Sequence, residues 1–266
     1  MPNRLALHTW TLDTTPLAGV LRVVRETGWD AVELRRVDFA RAVQAGGQPG
    51  DVIDLVKRSG LPVACVGVEA GWMFAEGDER RRLLQVFAES CAWAEQLGSA
   101  LVMSSVDVGR GPIDRAASSV REVGAIAATH HVRVAIEFNS QAEQYNNLAT
   151  MREVLGAAGH ASCGLLLDTY HMGRSGCDPK AIEAVAPEEI AYVQYSDVPR
   201  SGLQPGQTLD RLPPGQGSFP FKALLAVLRA KHYEGPMSYE APNTKAWARP
   251  PDEVAREALA ATRAIL

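Results

Sequence analysis

Cysteine is scarce in this chain and carries no motif. Of 266 residues four are cysteine (Cys65, Cys91, Cys163 and Cys177), and no two stand in a CxxC spacing. Cys65 and Cys163 sit inside apolar runs, so reduced core thiols are expected. Long apolar runs are missing too. No stretch of about 18 apolar residues and no N-terminal apolar signal region appears, so no membrane partner is expected and the compartment expected is the cytoplasm. An excess of positive charge is also absent: 27 Lys and Arg stand against 31 Asp and Glu, a formal net charge of -4 with a pI near 5.9. That balance argues against a general binder of nucleic acid. The one basic cluster, Arg80-Arg81-Arg82, falls on a helix and reads as a solvated face. There is no linker, no low-complexity segment and no composition break.

What is present is alternation. The spacing predicts strands over residues 4–8, 31–34, 62–68, 100–104, 132–138, 163–168, 190–195 and 236–240. Between and after them it predicts helices over 16–27, 51–59, 78–97, 113–129, 147–158, 179–185, 220–231 and 251–266. Gly28, Gly60 and Gly98 are C-terminal stops. Eight strand–helix units imply parallel βαβ connections and closure into a single (β/α)8 TIM barrel spanning residues 1–266, within the usual length for that fold. An open doubly wound sheet is the alternative, but His8-Thr9-Trp10 stands after strand one where a Gly-rich dinucleotide turn would be. The longest irregular segment, residues 199–217, is rich in Gly and Pro and reads as a lid or a surface insertion.

The polar residues that end the apolar runs carry the chemistry, because α/β folds place ligands at the carboxyl ends of their strands. Leu165-Leu166-Leu167-Asp168-Thr169-Tyr170-His171 is the organising stretch: a carboxylate closes the strand and an imidazole follows three residues on. A simpler reading is that Asp168 caps the following turn. Glu137 ends strand five, Gln194 lies in strand seven and Glu240 ends strand eight. Four consecutive strands thus bring three carboxylates and an amide to one half of the barrel mouth. Carboxylates that close repel one another unless a cation lies between them. Oxygen ligands without thiolate favour Mn²⁺ or Mg²⁺, with Co²⁺ or Zn²⁺ also compatible. Pairing of one or two of the Glu residues with Arg or Lys is the other reading.

At these residues the chain resembles the xylose isomerase-like TIM barrels, the sugar phosphate isomerase/epimerase superfamily. The resemblance rests on Ile136-Glu137-Phe138, Leu167-Asp168-Thr169-Tyr170-His171, Tyr192-Val193-Gln194-Tyr195-Ser196-Asp197-Val198-Pro199, Pro214-Gly215-Gln216-Gly217 and Ser238-Tyr239-Glu240, and it covers essentially the whole chain. It implies that Glu137, Asp168, Gln194 and Glu240 ligate one divalent metal ion and that His171 contacts substrate. Many members have His where this chain has Gln194; Gln at that place resembles hydroxypyruvate isomerases and bacterial 3-dehydroshikimate dehydratases. By analogy, Glu137 and Glu240 are the two catalytic acid–base groups on opposite faces of a bound ketose, with His171 steadying the charge on the substrate oxygen.

The implied activity is isomerisation or epimerisation of a small keto-sugar or related hydroxy-ketone through an enediolate. Expulsion of a hydroxyl β to the carbanion would make the same site a dehydratase of a cyclic polyhydroxy ketone, a lyase. His8, Glu33 and Glu69 at other strand ends are candidates to line the pocket, and Trp10, Trp72 and Trp247 to wall it. On the long loop, Arg200 and Arg211 are candidates for a carboxylate or phosphate, though loop arginines are usually solvated. His8, Glu69 and Arg200 are the residues assigned to substrate binding. His130, His131, His160 and His232 fall near helix ends and read as structural. A nucleic-acid enzyme on the same barrel and a non-catalytic sugar-binding barrel are the competing classes; the first is disfavoured by the acidic chain, the second by the two carboxylates placed as bases. The expected partner is a small-molecule substrate. Homo-oligomerisation stays open, since related barrels often associate.

Overall fold

Side chains in a strand alternate between two faces, and here that alternation sorts the sequence into an inner and an outer layer. The computed structural model describes residues 3–266. Its strands are β1 (Leu5–His8), β2 (Ala31–Leu34), β3 (Val63–Gly67), β4 (Leu101–Ser105), β5 (Arg133–Glu137), β6 (Cys163–Asp168), β7 (Ile190–Tyr195) and β8 (Met237–Tyr239). Each lies parallel to the next and β8 returns to β1, closing the barrel. The predicted (β/α)8 TIM barrel is therefore the fold. Among the described residues no helix is long and apolar enough to cross a membrane.

Outward from the barrel point Leu5, Leu7, Val32, Leu34, Val66, Val102, Val134, Ile136, Leu165, Leu167, Val193 and Tyr239, all buried against the surrounding helices. Each large aliphatic group so covered contributes about 1.5–3 kcal/mol. Inward point Ala6, Ala31, Cys65, Leu101, Ala135, Leu166 and Tyr192, a separate inner cluster of mostly small residues. Small side chains suit the narrow interior of an eight-stranded barrel. Two residues further along β1, β2, β5, β6 and β7, on the same inner face, come polar residues of the rim.

The helices are α1 (Leu17–Thr27), α2 (Arg36–Gln44), α3 (Pro49–Ser59), α4 (Gly77–Gln96), α5 (Ile113–Thr129), α6 (Leu148–Ala158), α7 (Thr169–Arg174), α8 (Phe221–Ala230) and α9 (Pro251–Ile265). Gly28 and Gly60 end α1 and α3 with φ of 87° and 72°, the left-handed conformation that a side chain resists. Two helices depart from expectation. α2 buries only Asp38 and Phe39; Asp38 accepts from the Arg35 amide at 2.8 Å and Phe39 stacks on Trp93 at 4.1 Å, so its apolar stripe is too narrow to show in the periodicity. α7 is six residues long and follows β6 without a loop. The segment predicted as a helix over 179–185 is instead a 3₁₀ turn, Pro179–Ala184.

Candidate active site

The inner-face alternation carries His8, Glu33, Glu137, Asp168 and Gln194 to the carboxyl rim of β1, β2, β5, β6 and β7, with Glu240 directly after β8. All six are buried. Across the sheet His8 pairs with Glu33 and Asp168 with Gln194. Glu137, Asp168 and His171 bring one ligand atom each within 4.8 Å of one another, a grouping able to hold a metal ion. Asp168 serves two purposes, one per oxygen. Its Oδ1 accepts from the Tyr170 amide at 2.7 Å and caps α7, while Oδ2 meets the Arg211 guanidinium. The capping role expected for Asp168 is thus observed, and it leaves the second oxygen free to join the carboxylate cluster.

Arg211 completes the cluster. Its Nη1 lies 2.7 Å from Asp168 Oδ2 and 2.7 Å from Glu240 Oε2, and only 3% of the residue is exposed. The guanidinium also lies over the Tyr170 ring, 4.5 Å from its centroid. Arg211 arrives on the long loop because Asp197 ties that loop down. The Asp197 carboxylate accepts from the amides of Val198, Gly215, Gly217 and Phe219, and its backbone exchanges two hydrogen bonds with Leu212, next to Arg211. A Cβ at Gly217 would fall 2.2 Å from the Val198 carbonyl oxygen and 2.4 Å from Asp197 Oδ1. The Pro214-Gly215-Gln216-Gly217 motif is thus a carboxylate cradle that aims Arg211.

Each catalytic-candidate glutamate faces an imidazole of determined tautomer. His171 Nδ1 accepts from the Ser140 amide at 3.2 Å, an N–H that can only donate, and lies 2.8 Å from its hydroxyl. Burial, opposed by Asp168 and aided by Arg211, holds His171 down to about 4, so the ring is neutral and Nε2 carries the proton. That N–H faces Glu137 Oε1 at 3.8 Å, and the 3.4 Å approach of Arg211 to the same nitrogen is a contact, not a hydrogen bond. His8 repeats the arrangement. Its Nδ1 accepts from the Trp10 amide at 3.1 Å, leaving Nε2 3.4 Å from Glu240 Oε1 and 3.8 Å from Glu33 Oε1.

The carboxyls differ in acidity, with Asp168 held low and Glu137, Glu240 and Glu33 raised. Burial, then the charges of Asp168 and Glu240, push Glu137 well above the ordinary carboxylate range. Burial lifts Glu240 to about 7 against the pull of Arg211. Burial also acts upward on Asp168, but Arg211 and His171 outweigh it and hold it at about 2. Burial and the Glu240 charge raise Glu33 to about 8.

A divalent cation fits these donors. Glu137 Oε1 and Gln194 Oε1 are buried without a hydrogen-bond partner, although a buried unpaired oxygen costs about 1–3 kcal/mol, and both belong to the oxygen-donor set named from sequence. Beside them opens a cavity of about 490 Å³ lined by His8, Trp10, Arg35, Glu69, Glu137 and Glu240 among others. His8 and Glu69 therefore border the same space as the two glutamates. Glu69 is half-buried and bonded to Arg82 at 2.6 Å. Arg200 is exposed and outside the cluster; its loop neighbour Arg211 is the arginine that enters. Trp10 lines the cavity, whereas Trp72 is buried on Ser104 and Trp247 bonds the Trp10 carbonyl. Sequence reasoning did not assign Ser140 or Tyr192, nor any contact for Asp197. The Asp197-Val198-Pro199 and Pro214-Gly215-Gln216-Gly217 motifs were the available signal for the loop anchor.

Known proteins share this fold. The family model for the xylose isomerase-like TIM barrel matches residues 21–265. A 3-dehydroshikimate dehydratase from Pseudomonas aeruginosa is 27% identical over 242 residues, covering 86% of this chain but 37% of that protein. The chain thus spans little more than a third of that relative's length. An inosose isomerase from Bacillus velezensis is 22% identical over 240 residues, covering 86% of this chain and 85% of the relative. The solved structure of the IOLI protein with a binding zinc atom superposes with a TM-score of 0.88 at 18% identity, covering 98% of this chain and 97% of that one.

Proposed function

The chain belongs to the xylose isomerase-like TIM barrel family, and from that premise we propose that it is a divalent-metal-dependent isomerase or epimerase of a small keto-sugar or related hydroxy-ketone. The observation that carries this reading is the pair of buried glutamates, Glu137 and Glu240, both raised in pKa, bordering one cavity beside oxygen donors that lack a partner. Glu137, Asp168, Gln194 and Glu240 would hold the ion, with Mn²⁺ or Mg²⁺ favoured by the all-oxygen set and Co²⁺ or Zn²⁺ also suited to it. When bound, such an ion supplies Lewis acidity toward a substrate carbonyl and its neighbouring hydroxyl.

The protein's own groups do the rest. Glu137 or Glu240 takes the carbon-bound proton beside the carbonyl, giving an enediolate, and the other carboxyl returns a proton to the neighbouring carbon or to the opposite face. A carboxyl tuned toward neutrality is suited to that exchange, because proton transfer works best with pKa near the working pH. The Nε2–H groups of His171 and His8 donate toward the oxygens of substrate or carboxylate as charge develops.

The dehydratase relative favours a second reading on the same residues, loss of a β-hydroxyl as water from a cyclic polyhydroxy ketone. Turnover separates the two. A Mn²⁺-reconstituted sample is offered ketoses, hydroxypyruvate and dehydroshikimate in D2O. Deuterium in an isomeric product without loss of water is the expected result; an enone absorbance assigns the lyase instead. Absence of both proton exchange and water loss with all three substrate types would remove the reading.

A further inference from the structure

Gln194 is a two-ended side chain: one end accepts hydrogen bonds or a cation, and the other only donates. Which end faces the cluster decides whether it attracts or repels a metal. The structure contains a device that makes the choice. Gln194 Nε2 donates to Glu33 Oε1 at 2.8 Å, across the barrel interior from β7 to β2. The other oxygen of Glu33 accepts from the Tyr192 hydroxyl at 3.0 Å. Glu33, Tyr192 and Gln194 are all fully enclosed, out of reach of bulk solvent. With its amino group committed to Glu33, Gln194 turns Oε1 away from it, and that oxygen is buried without a partner.

We propose that Glu33 is a positioning residue that fixes the amide of Gln194 with its carbonyl oxygen toward the carboxylate cluster, and so converts an ambivalent side chain into an oxygen ligand for a divalent cation. The proposal rests on the metal-dependent reading above. The hydrogen bond needs only an accepting oxygen on Glu33, which both forms of a carboxyl offer. A ligand whose outer contacts hold its orientation is the general arrangement at metal sites, and loss of such a contact costs about 10- to 100-fold in affinity.

The test is Mn²⁺ affinity, measured by calorimetric titration and by the electron paramagnetic resonance of free Mn²⁺, on the EDTA-treated and dialysed full chain. Glu33→Gln keeps the shape but can offer its own NH2 to Gln194 Oε1 and flip the amide; the expected loss is about 10- to 100-fold. The discriminating background is Gln194→Glu, whose two ends are both oxygens. There Glu33→Gln relieves a contact between two carboxyls and is expected to leave affinity unchanged or to raise it. A role that merely supports the fold would lose affinity equally in both backgrounds, and that result would overturn the proposal, as would a Glu33→Gln protein that binds as the parent does. Should Glu33→Gln fail to fold, Tyr192→Phe releases the far side of Glu33; a severalfold loss supports the proposal and unchanged affinity overturns it. A parent that takes up no Mn²⁺ at all defeats the metal-dependent reading and this proposal together. Loss in Glu137→Gln but not in Glu33→Gln defeats this proposal alone.

Discussion

Replacing Arg211 by methionine keeps the length of the side chain and removes the one guanidinium that serves two buried carboxylates. Nη1 lies 2.7 Å from both Asp168 Oδ2 and Glu240 Oε2, in a position almost closed to solvent. Breaking a buried ion pair by deleting one partner costs about 3–5 kcal/mol, because the remaining charge stays desolvated. Glu240 escapes most of that cost: it already titrates at about 7 with Arg211 present, so it takes up a proton once the cation is gone. Asp168 does not escape as easily, since Arg211 is what overcomes its burial and holds it at about 2. The loss therefore falls near the lower end, about 3 kcal/mol. For a chain of this size that corresponds to a drop in Tm of about 6–12 °C. The assay is thermal unfolding of parent and Arg211→Met in EDTA at neutral pH. Added Mn²⁺ then raises the Tm of the variant more than that of the parent, because the ion replaces the missing counter-charge; at 100 times its Kd a ligand contributes about 2.7 kcal/mol. A variant within about 2 °C of the parent in EDTA would refute the claim that Arg211 neutralises this cluster.

Further outcomes follow from the same contacts. Glu137→Gln and Glu240→Gln each lose about 10²- to 10⁴-fold in kcat on any accepted ketone while their circular dichroism stays that of the parent; full activity in both removes the acid–base assignment. In the metal-free protein Glu33 titrates at about 8 and Glu240 at about 7, above their unfolded values, so the folded state holds extra protons and stability falls as pH rises through that range. Asp168 works in the opposite sense, its contribution being lost as pH falls toward about 2. The urea midpoint in EDTA should therefore decline between about pH 5 and pH 8, and decline less in Glu33→Gln. Asp197→Asn leaves one acceptor oxygen where two serve four amides; stability falls by about 2 kcal/mol, and limited proteolysis opens the chain first within residues 199–217.

The barrel was legible because its strands are short apolar runs at a regular spacing, and half of its rim because the runs of β5 to β8 end in or beside polar groups. The ends of those runs put Glu137, Asp168, Gln194 and Glu240 at the barrel mouth; the folded chain adds that the first three share the inner face and that Glu240 lies one residue beyond β8, which the sequence had included in the strand. What the sequence concealed is what depends on distant packing. α2 exposes most of its length, so no periodic stripe announces it. Arg200 and Arg211 looked equivalent as loop arginines. They differ because Asp197 pins Leu212 and the glycines beyond it, a contact set by the folded loop and not by either arginine's neighbours alone. Apolar Leu209 and Leu212 around Arg211, against Ser201 and Gly202 after Arg200, were the available hint. The Glu33–Gln194 bond spans 161 positions in the chain, and nothing local marks it.

The proposed function requires the oxygens of Glu137, Asp168, Gln194 and Glu240 to converge on one divalent ion. Anomalous diffraction from crystals grown with Mn²⁺ measures this directly. The expected map has a single strong peak per chain, within coordination distance of Gln194 Oε1 and the three carboxylates, with the Arg211 guanidinium displaced from its place between Asp168 and Glu240. A peak elsewhere on the protein, or none at saturating Mn²⁺ with Arg211 still seated there, would contradict it.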